Sequence, residues 1–180
     1  MRAKTTQRLT LSALLCALCA VLSQIQIPLP PVPLSLSLLG VHLCGALLGS
    51  SWGTAAVGCY VALGAVGVPV YAGFAGGVSV LLGPTGGFLI GYILCAWTAG
   101  ALIQRFGFCR LSLILSMTAG TLICYASGTA WFSFVSGTNL AGSLTVCVFP
   151  FIPGDVLKIL LAASLCLRMQ KPLRAMGFDV

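Results

Sequence analysis

The sequence predicts an all-α integral membrane protein, a compact bundle of six transmembrane helices folded as one domain over residues 1–180. Three observations carry that expectation. Hydrophobic residues make up 59% of the chain and charged residues 6%, where soluble domains carry roughly a quarter charged. No Lys, Arg, Asp or Glu occurs in the 96 residues between Arg8 and Arg105, nor in the 44 between Arg110 and Asp155. Eight of the nine basic residues gather in three places: Arg2, Lys4 and Arg8; Arg105 and Arg110; and Arg168, Lys171 and Arg174. A soluble fold of this length could not cover its surface with so few polar groups. The composition therefore excludes a cytosolic enzyme, a nucleic-acid binder using the +7 charge as a phosphate footprint, and a disulfide-built secreted domain.

At about 20 residues per crossing of a roughly 30 Å core, the breakers divide the chain into spans at 9–25, 34–49, 52–68, 86–104, 111–129 and 153–169. The first span, behind Arg2, Lys4 and Arg8, resembles a secretory leader. Gln24-Ile25-Gln26-Ile27-Pro28 follows it in place of a small-residue cleavage site, so it reads as the first membrane helix. Pro28, Pro30, Pro31 and Pro33 then enforce an extended, stiff segment. Gly49-Ser50-Ser51 is the tightest connection. The next, over 68–83, mixes Pro69, Gly73, Gly76 and Gly77 with Tyr71 and Phe74. Irregular apolar backbone at membrane depth persists only where protein or a cavity satisfies its amides. The connection over 130–152 holds Trp131, Phe132 and Phe134. It also holds an apolar run over 140–149, too short to cross and read as a short capping helix. Pro153 suits the first turn of the last helix, which is expected to end at Met169. Six spans place all three basic clusters, and with them the N- and C-termini, on one side. The positive-inside rule makes that side cytoplasmic. The elaborate loops are then external, on the face where a ligand would enter.

Several residues invite functional readings. Gly45, Gly49 and Gly53, and Gly83, Gly87 and Gly91, recur at four-residue spacing, which lets helices approach closely in lipid. Ala13, Ala17 and Ala20 lay a small-residue stripe on the first helix, suited to packing inside the bundle or against a partner. The nine cysteines are scattered among apolar residues and read as small hydrophobes, so no metal site is expected. His42 stands alone in an apolar span. Asp155 and Lys158 differ from all of these. They sit three residues apart at the start of the last helix, on one face, with the carboxylate where the helix dipole favours an anion. Ionisable groups inside a membrane are costly and point to function. The pair offers one acceptor and one donor, fit for a mostly apolar ligand bearing an amide-like group, a carboxylate, or both; as a purely structural pair it would pin the last helix.

Catalysis is not expected. Intramembrane aspartyl hydrolysis needs two carboxylates, serine hydrolysis a paired base, and ATP use a phosphate-binding loop, and the sequence supplies none of these. Binding and translocation remain.

Three stretches bear a resemblance. These are Gly67-Val68-Pro69-Val70-Tyr71-Ala72-Gly73-Phe74-Ala75-Gly76-Gly77, then Leu82-Gly83-Pro84-Thr85-Gly86-Gly87-Phe88, and Pro150-Phe151-Ile152-Pro153-Gly154-Asp155-Val156-Leu157-Lys158. In this order on a six-span frame, they resemble the BioY family, the biotin-specific substrate-binding (S) components of energy-coupling factor (ECF) transporters. Tyr125-Ala126-Ser127-Gly128-Thr129-Ala130-Trp131 and Val32-Pro33-Leu34-Ser35-Leu36 extend the likeness over essentially the whole chain. One departure is visible: Ser37 stands where the family commonly has Gln.

The resemblance implies high-affinity biotin uptake across the plasma membrane of a bacterium. The implied partners are membrane lipid, a transmembrane coupling subunit against which the protein topples, and two cytoplasmic ATPases. ATP is then used only by those partners, and the chain needs no cofactor of its own. The resemblance further implies substrate-binding roles for Asp155 and Lys158. Asp155 would accept a ureido N–H, and Lys158 would donate to the ureido oxygen or to the valerate carboxylate. Tyr71, Phe74, Ser79 and Trp131 are candidate walls and lid of the site, and Ala13 and Ala17 the candidate face for the coupling subunit. The alternatives are an S component for another vitamin, a solitary importer without ATPases, and a membrane scaffold without a ligand.

Overall fold

The computed structural model describes residues 2–28 and 32–175. Leu29, Pro30 and Pro31 of the extended segment, Asp179, and the side chains of Arg2 and Lys4 lie outside the described residues.

Helix α1 (Arg2–Gln24) leads into a two-residue antiparallel pair, β1 (Gln26–Ile27) with β2 (Leu34–Ser35), in which Gln26 faces Ser35. Helix α2 (Ser37–Ala65) follows, then a 3-10 turn at Ala72–Phe74 and the short α3 (Val78–Leu82). Helices α4 (Gly86–Phe106), α5 (Arg110–Ser136), α6 (Leu140–Cys147) and α7 (Ile152–Ala175) complete the chain. Among the described residues four helices, α1, α2, α4 and α5, are long and apolar enough to cross a membrane. The α6–α7 pair, bent by 54°, makes a fifth candidate when taken as one broken span.

The expected spans at 34–49 and 52–68 lie within α2, which is broken at Gly49. There φ is 76° and ψ −175°, a conformation open essentially to glycine alone. Beyond the break the chain doubles back: a Cβ on Gly53 would lie 2.5 Å from the carbonyl oxygen of Cys44. The glycine spacing thus serves packing within the chain. A Cβ on Gly45 would sit 2.6 Å from the Ala96 carbonyl oxygen, and one on Gly91 would meet Cys124 and Ser127, so α4 lies almost backbone-to-backbone with its neighbours.

Two boundaries differ from expectation. Helix α5 continues to Ser136, so Trp131, Phe132 and Phe134 are helical and the connection begins only at Gly137, whose φ of 65° ends the helix. No proline and no residue at positive φ interrupts the helix before Gly137. Helix α7 likewise passes Met169 to Ala175 with Pro172 inside it. The apolar run over 140–149 does form a helix, α6, capped by the Asn139 side chain, which accepts from the Gly142 amide at 2.8 Å.

Lipid-facing residues are apolar, among them Leu14, Leu94, Trp97, Leu115, Leu122 and Leu161. Exposed hydroxyls are silenced within their own helices: Thr98, Thr118 and Ser164 donate to the carbonyls of Leu94, Ile114 and Leu160. Most cysteines, such as Cys19, Cys44, Cys95, Cys124 and Cys166, are buried as thiols. Cys19 and Cys44 sit with their sulfurs 3.7 Å apart. Among the described residues no three His, Cys, Asp or Glu side chains converge as a metal site. His42 is fully buried, sharing a 3.1 Å hydrogen bond between Nε2 and Thr121 Oγ1 that ties α2 to α5.

Candidate functional site

Helix α7 buries one stripe, Asp155, Lys158, Ile159, Ala162, Ala163 and Cys166, and turns Val156, Leu157, Leu160 and Leu161 outward. That helical period carries the two ionisable groups into the protein. Asp155 is 4% and Lys158 6% exposed. Lys158 Nζ donates to Asp155 Oδ1 at 2.7 Å, and the Tyr125 hydroxyl of α5 donates to Asp155 Oδ2. Each carboxylate oxygen keeps a second lone pair, and the ammonium keeps further N–H donors. Two opposite charges in contact, each with valence to spare, can grip a neutral polar group without adding net charge to a low-dielectric site.

The pair opens into a cavity of about 260 Å³. Its walls come from β2 and the start of α2 (Leu34, Ser35, Ser37, Leu38), the far half of α2 (Tyr60), and the 71–80 connection (Tyr71, Ala72, Ala75, Val80). The remaining sides are α4 (Phe88, Leu89, Tyr92), α5 (Cys124, Tyr125) and the start of α7. Irregular backbone gathers where it borders this hollow, as the glycine- and proline-rich connections led one to expect.

Of the residues singled out in the sequence, Asp155, Lys158 and Tyr71 line the cavity. Tyr71 is 2% exposed, lies on Gly64, meets Tyr60 edge-on at 5.8 Å, and donates its hydroxyl to the Val61 carbonyl at 2.6 Å. Burial pushes its phenol up from the ordinary value, so it remains a donor. Phe74, Ser79 and Trp131 lie outside the lining. Phe74 is 71% exposed, and its amide donates to Gln24 Oε1 at 2.9 Å. Ser79 is exposed on α3. Trp131 donates its indole N–H to the Gly83 carbonyl at 3.0 Å and so fastens the 67–85 connection to α5. Gln24, at the end of α1, bridges that connection from the other side by donating to the Tyr71 carbonyl at 3.1 Å. Ala13 and Ala17 are exposed on α1, while Ala20 of the same stripe packs partly against the core.

Tyr60, Tyr92, Tyr125, Ser35 and Ser37 are lining residues that the sequence reading did not nominate. A signal was present. The chain has 4 tyrosines, and every one of them lines the cavity. A phenol within an apolar span needs a polar partner, and the cavity is where partners are found. Ser37, the visible departure, is buried and shares a 2.6 Å hydrogen bond with Ser35.

The sequence model of the BioY family matches residues 1–175. The chain is 40% identical over 158 residues to the biotin transporter BioY of Thermotoga maritima, a match covering 86% of this chain and 90% of that one. It is 37% identical over 164 residues to a probable biotin transporter BioY of Pyrococcus horikoshii, covering 91% and 96%. Among solved structures it is similar to the S-component for biotin from an ECF-type ABC transporter. The TM-score is 0.87 at 31% identity, over 95% of this chain and 94% of that one.

Proposed function

The chain belongs to the BioY family, and from that premise we propose that it takes up biotin as the substrate-binding component of an ECF transporter. It is a multi-pass membrane protein and a transport protein, not an enzyme. The observation that carries the reading is the buried Asp155–Lys158 couple facing an otherwise apolar and aromatic cavity. The ureido group of biotin presents N–H donors beside a carbonyl acceptor, the complement of a carboxylate beside an ammonium. In this reading Asp155 accepts a ureido N–H, Lys158 donates to the ureido oxygen, and Tyr125 orients the carboxylate. Tyr71, Phe88 and Leu89 enclose the ring system, while Phe74, Ser79 and Trp131 act on the connections that cover it.

The finer topology belongs to the same proposal. Counting the halves of α2 about Gly49 separately, and α7 as a span, gives six crossings of the plasma membrane. All three basic clusters and both termini are then cytoplasmic. A transmembrane coupling subunit docks on the exposed Ala13–Ala17 face, and two cytoplasmic ATPases supply the energy. The chain itself uses no cofactor.

Calorimetric titration of biotin into detergent-solubilised protein, purified from biotin-poor cells, tests the site. Tight one-to-one binding is expected. Asp155→Asn is expected to weaken it by about 100-fold, the value of a hydrogen bond to a charged group. Asp155→Asn also leaves Lys158 buried without its partner, a loss of about 3–5 kcal/mol in stability. Asp155→Asn with Lys158→Met should recover much of that stability while leaving binding poor. Unchanged binding by the folded double variant would overturn the assignment.

A further inference from the structure

A second cavity, of about 620 Å³, lies at the opposite end of the bundle, within the size range of small-molecule sites. Four parts of the chain meet there: the first part of α1, the break in α2, the α4–α5 connection and the end of α7. Buried Ala46, Leu47 and Ile103 give it an apolar wall. The more exposed side is polar, with Arg8 of α1 and Arg174 of α7 beside Ser51, Trp52 and Gln104. The two ionised side chains on this wall are thus both cations. Asp155, the one carboxylate side chain among the described residues, stands at the other end of α7 in contact with Lys158. Helix α1 packs on α2, and α7 on α2 and α5. The two guanidiniums therefore reach one cavity from helices that are not principal neighbours of each other.

A guanidinium carries five N–H donors in a planar fork that matches the oxygen spacing of a phosphate. A free phosphate would call for polar groups on every side, and here one wall is apolar. A phosphodiester that carries a glycerol and the first carbons of its acyl chains suits both halves of the cavity. Its charge meets Arg8 and Arg174, its hydroxyls meet Ser51 and Gln104, and its hydrocarbon lies against Leu47 and Ile103. Trp52 is of the residue type that settles at headgroup level. A choline headgroup suits the cavity less well, because its quaternary ammonium would stand beside two cations. Basic pockets between membrane helices are recurrent sites for anionic headgroups. We propose that this cavity binds the headgroup of an anionic phospholipid, whose phosphate ties α1 to α7 through Arg8 and Arg174. The assignment is independent of what the first cavity binds.

The test is thermal unfolding of the purified full chain in detergent micelles with three probes. These are dioleoylphosphatidylglycerol, dioleoylphosphatidylcholine at equal mole fraction, and inorganic phosphate. Phosphatidylglycerol is expected to raise the midpoint by about 3–6 °C at roughly tenfold over its dissociation constant, and the other two by less than about 1 °C. Arg8→Gln with Arg174→Gln should lose that shift. Arg105→Gln with Arg110→Gln removes the same charge outside the lining and should keep it. An equal shift with phosphatidylcholine, or equal loss in both double variants, would overturn the inference, since bulk lipid or the general basic surface would then suffice. The full shift from inorganic phosphate alone would overturn the lipid assignment in favour of a free phosphate. The comparison of probes needs no substitution, so it decides the matter even where the Arg8 and Arg174 variant folds poorly.

Discussion

Tyr125 does more for the site than its place in an apolar helix suggested. Its hydroxyl holds one oxygen of Asp155 while Lys158 holds the other, so the carboxylate is gripped from α5 and from its own helix. Tyr125→Phe keeps the ring and removes that grip. Biotin binding is expected to weaken by about tenfold with the fold intact, the value of one buried hydrogen bond to a charged acceptor. Calorimetry beside thermal unfolding in detergent checks this. Unchanged affinity would mean Asp155 is positioned by Lys158 and the helix alone. Asp155 and Lys158 were legible in the sequence because a charge in an apolar run has no inexpensive explanation. Tyr125 was not, because a phenol is tolerated on several helix faces and only the rotation of α5 aims it at Asp155. Phe74 and Trp131 show the converse. Both are aromatic residues next to the site in sequence, yet neither lines it: Phe74, at φ 57°, is 71% exposed, and Trp131 spends its indole N–H on the Gly83 carbonyl.

Among the elements, the break in α2 decides the most. A 29-residue helix would otherwise run straight through a bilayer and separate Ser37 and Leu38 from Tyr60, all of which line one cavity. Gly49 prevents this by adopting a backbone conformation that a Cβ would strain. Gly49→Ala is expected to cost about 1–3 kcal/mol and to lower the thermal midpoint by several degrees, with no direct effect on site residues. A midpoint equal to that of the parent would show that the turn tolerates a side chain. The sequence indicated this connection by its Gly-Ser-Ser composition. It did not reveal that Gly53 would return against Cys44, since close approach of two backbones leaves no mark other than the absence of a side chain. The ends of α5 and α7 were set short for a related reason: hydropathy marks where lipid ends, and helical hydrogen bonding continues past that point.

The whole molecule presents two surfaces that make separate predictions. Ala13 and Ala17 are exposed on α1. Replacing both residues by Leu is expected to abolish biotin uptake in cells, leave binding by the purified protein unchanged, and shift stability by less than about 0.5 kcal/mol, as for surface changes generally. Surviving uptake would remove the docking role. The orientation can be read from Cys109, which is exposed between α4 and α5 beside Arg105 and Arg110. A membrane-impermeant thiol reagent is expected to label it in inside-out vesicles and not in intact cells, with Cys109→Ser as control. The reverse pattern would invert the topology.

What the amino-acid sequence determined alone was its apolar surroundings, its helical character, and the buried pair of Asp155 and Lys158. Each of these follows from composition and one-dimensional spacing, because lipid penalises charge and unpaired backbone wherever they occur along the chain. Tertiary structure alone decided which tyrosines converge, that Ser35 and Ser37 line the same cavity, and that the broken α2 supplies two of its walls. Those are matters of helix rotation and of the angle at a single glycine. Small errors in either move a side chain from the cavity to lipid, and no local sequence signal fixes them.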